Sequence, residues 1–466
     1  MNSAYSVDNK EFININNGLI FTAGLAVIFA AAIYKFGLIG LLGSIALALG
    51  TVLVPYIYNK PQIFLIFSLF IFPFTRLFSL EDKFVITATL YTASIPCFIW
   101  LYKKHFSKIT VNSAYMFWLI AYTVIIFLNI FRIDSGLIEV AKEFGRTYFA
   151  LFICFSVYDL ISNSTDRFNK MVKAMGYMFN AVALIAIAQY ATKTGSFVVE
   201  GLFRSRGVFF NFNEYAYVIS IFTCFAMYFL LSSKTHKNRI FWGATILLNL
   251  VALLTTLSKT SLFTTMLVLV VMSAFISLRQ KIWLFSTYAV LGGLLSAYIM
   301  LSGMADVLIQ RFGNTTSLEW RFEMWRNLQN MILQGNWLLG EGANASRKFL
   351  LMVVPFGETA APHNIYLETT YNYGLIAAIP FVLIFLALIH KGITMFSSKH
   401  SANNQHKIIG IGIITITVIT LIQNFVSNAF YDRAVNVIFW AIITILICRY
   451  NQLAGKEAGN SCTFKE

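Results

Sequence analysis

Between about Ser302 and Thr369 an otherwise greasy chain collects Arg311, Arg321, Arg326, Glu341, Arg347 and His363. Four groups in and around this polar stretch have chemistry to offer. His363, in Pro362-His363-Asn364-Ile365-Tyr366, carries an imidazole whose ordinary pKa near 6.5 lets it accept a proton at neutral pH. Arg204 and Arg206 stand in Arg204-Ser205-Arg206-Gly207, just before Asn211-Phe212-Asn213 at a helix start. Guanidinium forks pair phosphate oxygens, and helix N-terminal amides add partial positive charge, so this group suits a phosphate. Arg321 lies in Ser317-Leu318-Glu319-Trp320-Arg321-Phe322-Glu323-Met324-Trp325-Arg326. Leu318, Phe322, Trp325 and Ile332 fall near one stripe there, as expected of an amphipathic helix lying on a membrane surface. Lastly, Glu139, Lys142, Glu143 and Arg146 are spaced i, i+3, i+4 and i+7 and share one helix face.

Each group also has a plainer reading. A lone histidine is more often structural, and interfacial arginines often anchor to lipid headgroups. An amphipathic helix can be surface anchoring alone, and the Glu139–Arg146 face can be an internal ladder of ion pairs. The chemical alternative for that face is that Lys142 or Arg146 lines a pocket for an anionic substrate, because charges inside membrane segments usually face a cavity or a partner.

The elements that must position these side chains are set by composition. The 466 residues are 58% hydrophobic and 12% charged, whereas soluble domains carry roughly 25% charged residues. Such a chain cannot cover a globule with polar surface. The expected class is an all-α, polytopic membrane protein. Crossing ~30 Å of hydrocarbon takes about 20 apolar residues, and reading the runs from 18 to 449 on that basis gives about 12–14 segments. The lower count treats short pairs, such as the one around Leu257–Thr260, as broken or re-entrant hairpins. Expected boundaries are transmembrane helices over 1–301, a large outer loop with short amphipathic helices over 302–369, further membrane helices over 370–450, and a cytoplasmic tail over 451–466. Placing both termini in the cytoplasm puts most loop Lys and Arg on that side, and the polar stretch then faces outward.

The net charge of +15 is spread over loops without a dense basic block, which argues against nucleic acid. No cysteine pair has zinc or redox spacing, so neither disulfide nor metal is expected. The phosphate-loop, HExxH and GxSxG patterns are missing from the sequence, which disfavours nucleotide hydrolysis and zinc proteolysis.

Taken in order, these motifs resemble the O-antigen ligase and polymerase superfamily of bacterial envelope glycosyltransferases. That family shows an Arg three residues before a Gly and then an Asn-Pro-Asn-like turn; Arg204, Gly207, Asn211 and Asn213 match, with Phe212 in place of the Pro. Its Ser-x-x-x-Arg-x-x-x-Trp is matched by Ser317, Arg321 and Trp325, its Gly-x-Gly by Gly340 and Gly342, and its His-Asn-x-Tyr with a downstream Gly by His363, Asn364, Tyr366 and Gly374. The resemblance covers roughly 200–375.

The resemblance implies a GT-C-like, all-helical inverting transferase in the bacterial inner membrane, with its active site facing the periplasm. The implied reaction moves a glycan from an undecaprenyl diphosphate carrier to an acceptor hydroxyl, on a second glycan, on lipid A-core or, in a related branch, on a protein Ser or Thr. No nucleotide sugar, metal or other cofactor is expected to take part, and the remaining partners are membrane lipids. Arg204 and Arg321 are then expected to hold the diphosphate, with Arg206, Arg146 and Lys142 assisting. His363 would take the acceptor proton, and Asn211, Asn213, Asn364 and Tyr366 would position substrate or imidazole. Polymerase is preferred over ligase, since such chains are numerous and diverse. The alternative is a glycolipid flippase, which would need charges near the midplane of several helices and discontinuous helices in paired halves.

Overall fold

Long apolar runs bounded by Ser, Thr and Asn caps become long helices. The computed structural model describes residues 113–131, 137–162, 164–194, 197–199, 202–209, 211–274, 278–301, 303–313, 316–353, 362–397 and 404–462, with Ser94, Phe98 and Leu101. The membrane runs expected between 18 and 102 lie outside this set, apart from those three residues. In chain order the helices are α1 (Ala114–Leu128), α2 (Leu137–Ile161), α3 (Thr165–Thr192), α4 (Phe212–Ser232), α5 (His236–Thr256), α6 (Lys259–Ala274) and α7 (Leu278–Leu301). There follow α8 (Met304–Gly313), α9 (Thr316–Gln334), α10 (Ala345–Val353), α11 (Ile365–Ser397), α12 (Asn404–Val426) and α13 (Arg433–Cys462). The α3–α4 connection carries a two-stranded antiparallel ribbon, β1 (Phe197–Val199) and β2 (Leu202–Arg204), with Phe197 opposite Arg204.

Among the described residues seven helices are long and apolar enough to cross a membrane, or eight if the bent pair Gly292–Leu301 and Met304–Gly313 is one span. The protein is a multi-pass membrane protein. Its packing centre is α4, with Tyr215, Tyr217, Phe222, Phe225 and Tyr228 fully buried. A capping box starts this helix. The Asn211 side chain accepts from the Asn213 N–H at 2.8 Å, and Glu214 accepts from the Asn211 N–H at 3.2 Å. Around α4 lie α5, α6 and α12, while α11 packs between α1 and α12, and α13 against α2.

The polar stretch is not a loose loop. Helices α9 and α10 bury Met324, Trp325 and Leu350 against Leu367 of α11 and Val426 of α12. The buried face of α9 therefore runs through Met324, Trp325 and Leu328, while Phe322 is 55% exposed. Trp325, which spacing placed on the membrane-facing stripe with Phe322, is instead turned inward by the α10 and α11 surfaces that α9 covers. Helix α11 begins at Ile365, ahead of the expected 370, because Asn364 caps it. The Asn364 carboxamide accepts from the N–H groups of Tyr366 and Leu367, both at 3.1 Å.

Helix α11 is interrupted at Gly374, whose φ of +72° and ψ of 179° are not helical. The break frees backbone groups that must find partners inside the protein. Segment 335–342 supplies them. Glu341 and Gly342 donate to the carbonyls of Tyr371 and Asn372, each at 2.8 Å, and Leu375 and Ile376 donate to those of Trp337 and Leu338 at 3.0 and 3.3 Å. The approach is backbone to backbone. A Cβ at Gly340 would stand 2.5 Å from backbone atoms of residues 372–374, and one at Gly374 would overlap the Leu338 carbonyl.

Gly374→Ala must therefore either undock segment 335–342 or re-form the helix through the break. A non-glycine residue at such a dihedral costs about 1–3 kcal/mol before the overlap is counted. The variant is expected to melt several degrees lower in detergent and to be cut by protease within 335–342, whereas Gly243→Ala, which meets no atom within 4 Å, should behave as the parent.

Candidate functional site

The C-terminus of α5 organises the site. Helix ends leave unsatisfied carbonyls, and here Leu257 adopts a left-handed conformation (φ +51°) that stops α5 before α6 begins at Lys259. This is the interruption expected near Leu257–Thr260. Three carbonyls of the broken end are taken in order. The Ser205 N–H donates to Thr255 at 2.9 Å, Arg204 Nε to Thr256 at 2.8 Å, and Arg311 Nε to Leu257 at 3.4 Å. The hydroxyls of Ser205 and Thr255 are also hydrogen-bonded. Cations at this negative end of the helix dipole are favourable.

These bonds hold two guanidinium groups in place inside the protein. Arg204 is 3% exposed and Arg311 7%. The Arg204 guanidinium also lies 3.5 Å over the centre of the Phe212 ring, a cation–π contact worth about 0.5–2 kcal/mol. The residue that departs from the Asn-Pro-Asn pattern is thus the platform beneath the arginine. Gln189 of α3 fixes the turn that follows, donating to the Gly207 carbonyl at 2.8 Å and accepting from the Arg206 N–H at 3.4 Å.

Arg204, Arg311, Arg321 and Lys259 line one cavity of about 240 Å³, together with Asn213, Ser258, Thr260, Gln423, Val426 and Ser427. Among the described residues, four cations and no carboxylate are in that lining. Polar side chains knit its wall. Ser258 Oγ donates to Asn213 Oδ1 at 3.4 Å, and Gln423 Nε2 donates to Ser261 Oγ at 2.8 Å. Such a surface suits a multiply charged anion.

His363 stands beside this cavity. Its backbone is left-handed (φ +50°), and the preceding carbonyl, of Pro362, accepts from Trp325 Nε1 at 2.8 Å. The Trp320 ring meets the imidazole edge-on, with centroids 5.7 Å apart. Helix α9 thus contributes Arg321 to the cavity and Trp320 and Trp325 to the histidine turn. Burial, and then the positive charge of Arg321, pull the His363 pKa down to about 4. The imidazole is neutral at pH 7 and able to accept a proton.

Among the side chains singled out by sequence, Arg204, Arg321 and Asn213 meet at the cavity, with His363 next to Arg321. Asn211 and Asn364 serve as caps, and Tyr366 donates to the Leu421 carbonyl at 3.0 Å, tying α11 to α12. Arg206, Lys142 and Arg146 are outside the cavity lining. Lys142 pairs with Glu139 at 2.9 Å and Arg146 with Glu143 at 2.6 Å, the ladder given above as the plainer reading. Arg146 also lies 4.9 Å over the Tyr431 ring. Tyr431 is hydrogen-bonded to Thr369, and Asn428 donates to Glu368, so these residues form a separate polar network next to the site. Arg311 and Lys259 were not picked out as site residues. Arg311 belongs to no spaced motif, and Lys259 stands alone in an apolar region; only the α5 break brings them in.

Residues 244–382 match the family model described as O-antigen ligase. The matched region runs from α5 into α11 and holds Lys259, Arg311, Arg321 and His363, while Arg204 precedes it. A search of curated proteins finds no match.

The coupling of Arg321 to His363 is directly measurable. Replacing Arg321 by Gln removes a positive charge and should raise the His363 pKa, though not fully to 6.5, because burial is the larger cause. Histidine-labelled NMR in micelles would read this; an unmoved resonance would separate the two side chains.

Proposed function

We propose that this chain, whose residues 244–382 match the family model described as O-antigen ligase, is a metal-independent inverting transferase for diphosphate-linked glycans. The family acts in O-antigen ligase- or polymerase-type transfer of lipid-linked glycans. The observation that carries the finer reading is the cavity in which Arg204, Arg311, Arg321 and Lys259 converge, with no carboxylate among the described lining residues.

In this mechanism the donor's diphosphate sits among the four cations, with its lipid tail among the membrane helices. The acceptor hydroxyl attacks the anomeric carbon from the face opposite the diphosphate. A new carbon–oxygen bond forms as the bond to phosphate breaks, and configuration inverts. The hydroxyl proton passes to the neutral imidazole of His363, and the leaving diphosphate's charge is held by the guanidinium groups. Before donor binds, Arg321 and burial keep the imidazole unprotonated. Donor binding brings negative charge next to Arg321 and makes the imidazole more basic as the reaction begins. Lys142 and Arg146, each paired with a carboxylate of their own helix, would act only through the neighbouring polar network. The site faces the periplasm of the inner membrane in this reading, supported by the loop charge distribution. A second lipid-linked repeat unit is the preferred acceptor.

His363→Ala should abolish glycan transfer while the protein stays folded in membranes; near-normal glycan would defeat the assignment. Arg321→Lys should lose at least tenfold, because a point charge cannot replace a planar fork, and EDTA should not slow transfer. In a deletion strain, surface glycan reduced to a single repeat on lipid A-core indicates a polymerase, whereas long chains left on the carrier indicate a ligase. Free-enzyme kcat/KM should fall on the acid side near pH 4 rather than 6.5, since the imidazole stays neutral down to about 4.

A further inference from the structure

A second cation-lined cavity lies at the other end of the same helices. It measures about 300 Å³ and is bounded by the first turns of α3, the α4–α5 turn, the start of α12 and Arg449 of α13. Lys173, Lys234 and Arg449 contribute positive charge, and no carboxylate is among the described lining residues. The nearby Asp166 is paired with Lys170 at 2.7 Å. The inner wall is aromatic, with Tyr228 and Trp242 of the buried core. Arg449 lies 5.2 Å over the Phe168 ring, which fixes the guanidinium at the wall.

The depth of this cavity is informative. The cavity of Arg204 opens at the N-terminus of α4 and the C-terminus of α5, whereas this one opens at the opposite ends of both helices. Each helix has 21 residues, about 30 Å at 1.5 Å per residue, which equals the hydrocarbon thickness of a bilayer. A cavity one such helix length away sits at headgroup depth in the other leaflet. A bilayer spanned by these two helices would bring lipid phosphates to the level of these cations and the start of an acyl chain to the aromatic wall.

We propose that this cavity holds the phosphate headgroup of an anionic phospholipid in the leaflet opposite the cavity of Arg204. The lipid phosphate is gripped by Lys173, Lys234 and Arg449, and its chain runs along the aromatic side. It joins α3, α4, α5, α12 and α13 at one end of the bundle and so acts as a lipid staple. The inference rests on this cavity alone and stands independently of the transfer reaction.

The test uses the full-length protein in nanodiscs of neutral phosphatidylcholine, into which phosphatidylglycerol is titrated. Retained lipid is read by native mass spectrometry and stability by thermal melting. One phosphatidylglycerol should be retained with a raised Tm. Lys173→Gln/Lys234→Gln changes two exposed side chains and should weaken retention roughly tenfold or more, at about 1 kcal/mol per basic side chain near a charged lipid surface. Arg449→Gln is a second, independent variant with the same expected direction. Equal retention by parent and both variants would overturn the proposal. The same stabilisation by inorganic phosphate in neutral nanodiscs would assign the cavity to a free phosphate and overturn the lipid.

Discussion

Everything at the site depends on an exchange between a helix that stops inside the protein and arginines that must be buried. A broken helix end in an apolar setting leaves carbonyls without donors, and a buried guanidinium needs acceptors. Here each solves the other's problem. Arg204 and Arg311 give their Nε–H groups to Thr256 and Leu257, and the backbone of Ser205 takes Thr255. The result is a pair of positive groups whose positions are tied to the backbone rather than to flexible side-chain rotors. Phe212, stacked on Arg204, removes further freedom. Such pre-organisation is what the proposed diphosphate chemistry requires, since no reorganisation is then needed as charge develops.

A second backbone device carries the histidine. The interruption of α11 at Gly374 lets segment 335–342 dock by four main-chain hydrogen bonds. That segment joins α9 to α10, so the docking holds α9 over the start of α11. Trp325 then reaches the Pro362 carbonyl, and Trp320 meets His363. Arg321, on the same helix, is carried to the cavity by the same packing. The two breaks, in α5 and α11, therefore bring the guanidinium groups and the imidazole together from different parts of the chain.

Much of this was legible in the sequence, for reasons that can be named. Residue type pointed to Arg204, Arg321 and His363, because few charged residues interrupt the apolar runs and each of these stands in a spaced motif. The interruption near Leu257 was visible as a shortened pair of runs. Other features depend on contacts far apart in sequence. Arg311 and Lys259 reach the cavity only because α8 and α6 fold back on the α5 terminus. The Glu139–Arg146 face looked equally like a pocket wall and an ion-pair ladder, since i, i+3 spacing fits both; the structure pairs Lys142 with Glu139 and Arg146 with Glu143. Trp325 of α9 faces the protein rather than the membrane-facing stripe read from spacing, because periodicity fixes the period of a helix and leaves its rotation to its neighbours.

Helix α4 lies almost wholly inside the bundle, with residues from Tyr215 to Tyr228 screened from lipid. A surface helix can lean to match a thicker or thinner bilayer, but a central one is wedged by its neighbours and has little room to tilt. Its 21 residues therefore act as a spacer of set length at the heart of the molecule. A bilayer whose thickness departs from that length must deform around the protein, so lipid composition bears directly on how the polar cap and the far end of the bundle are seated.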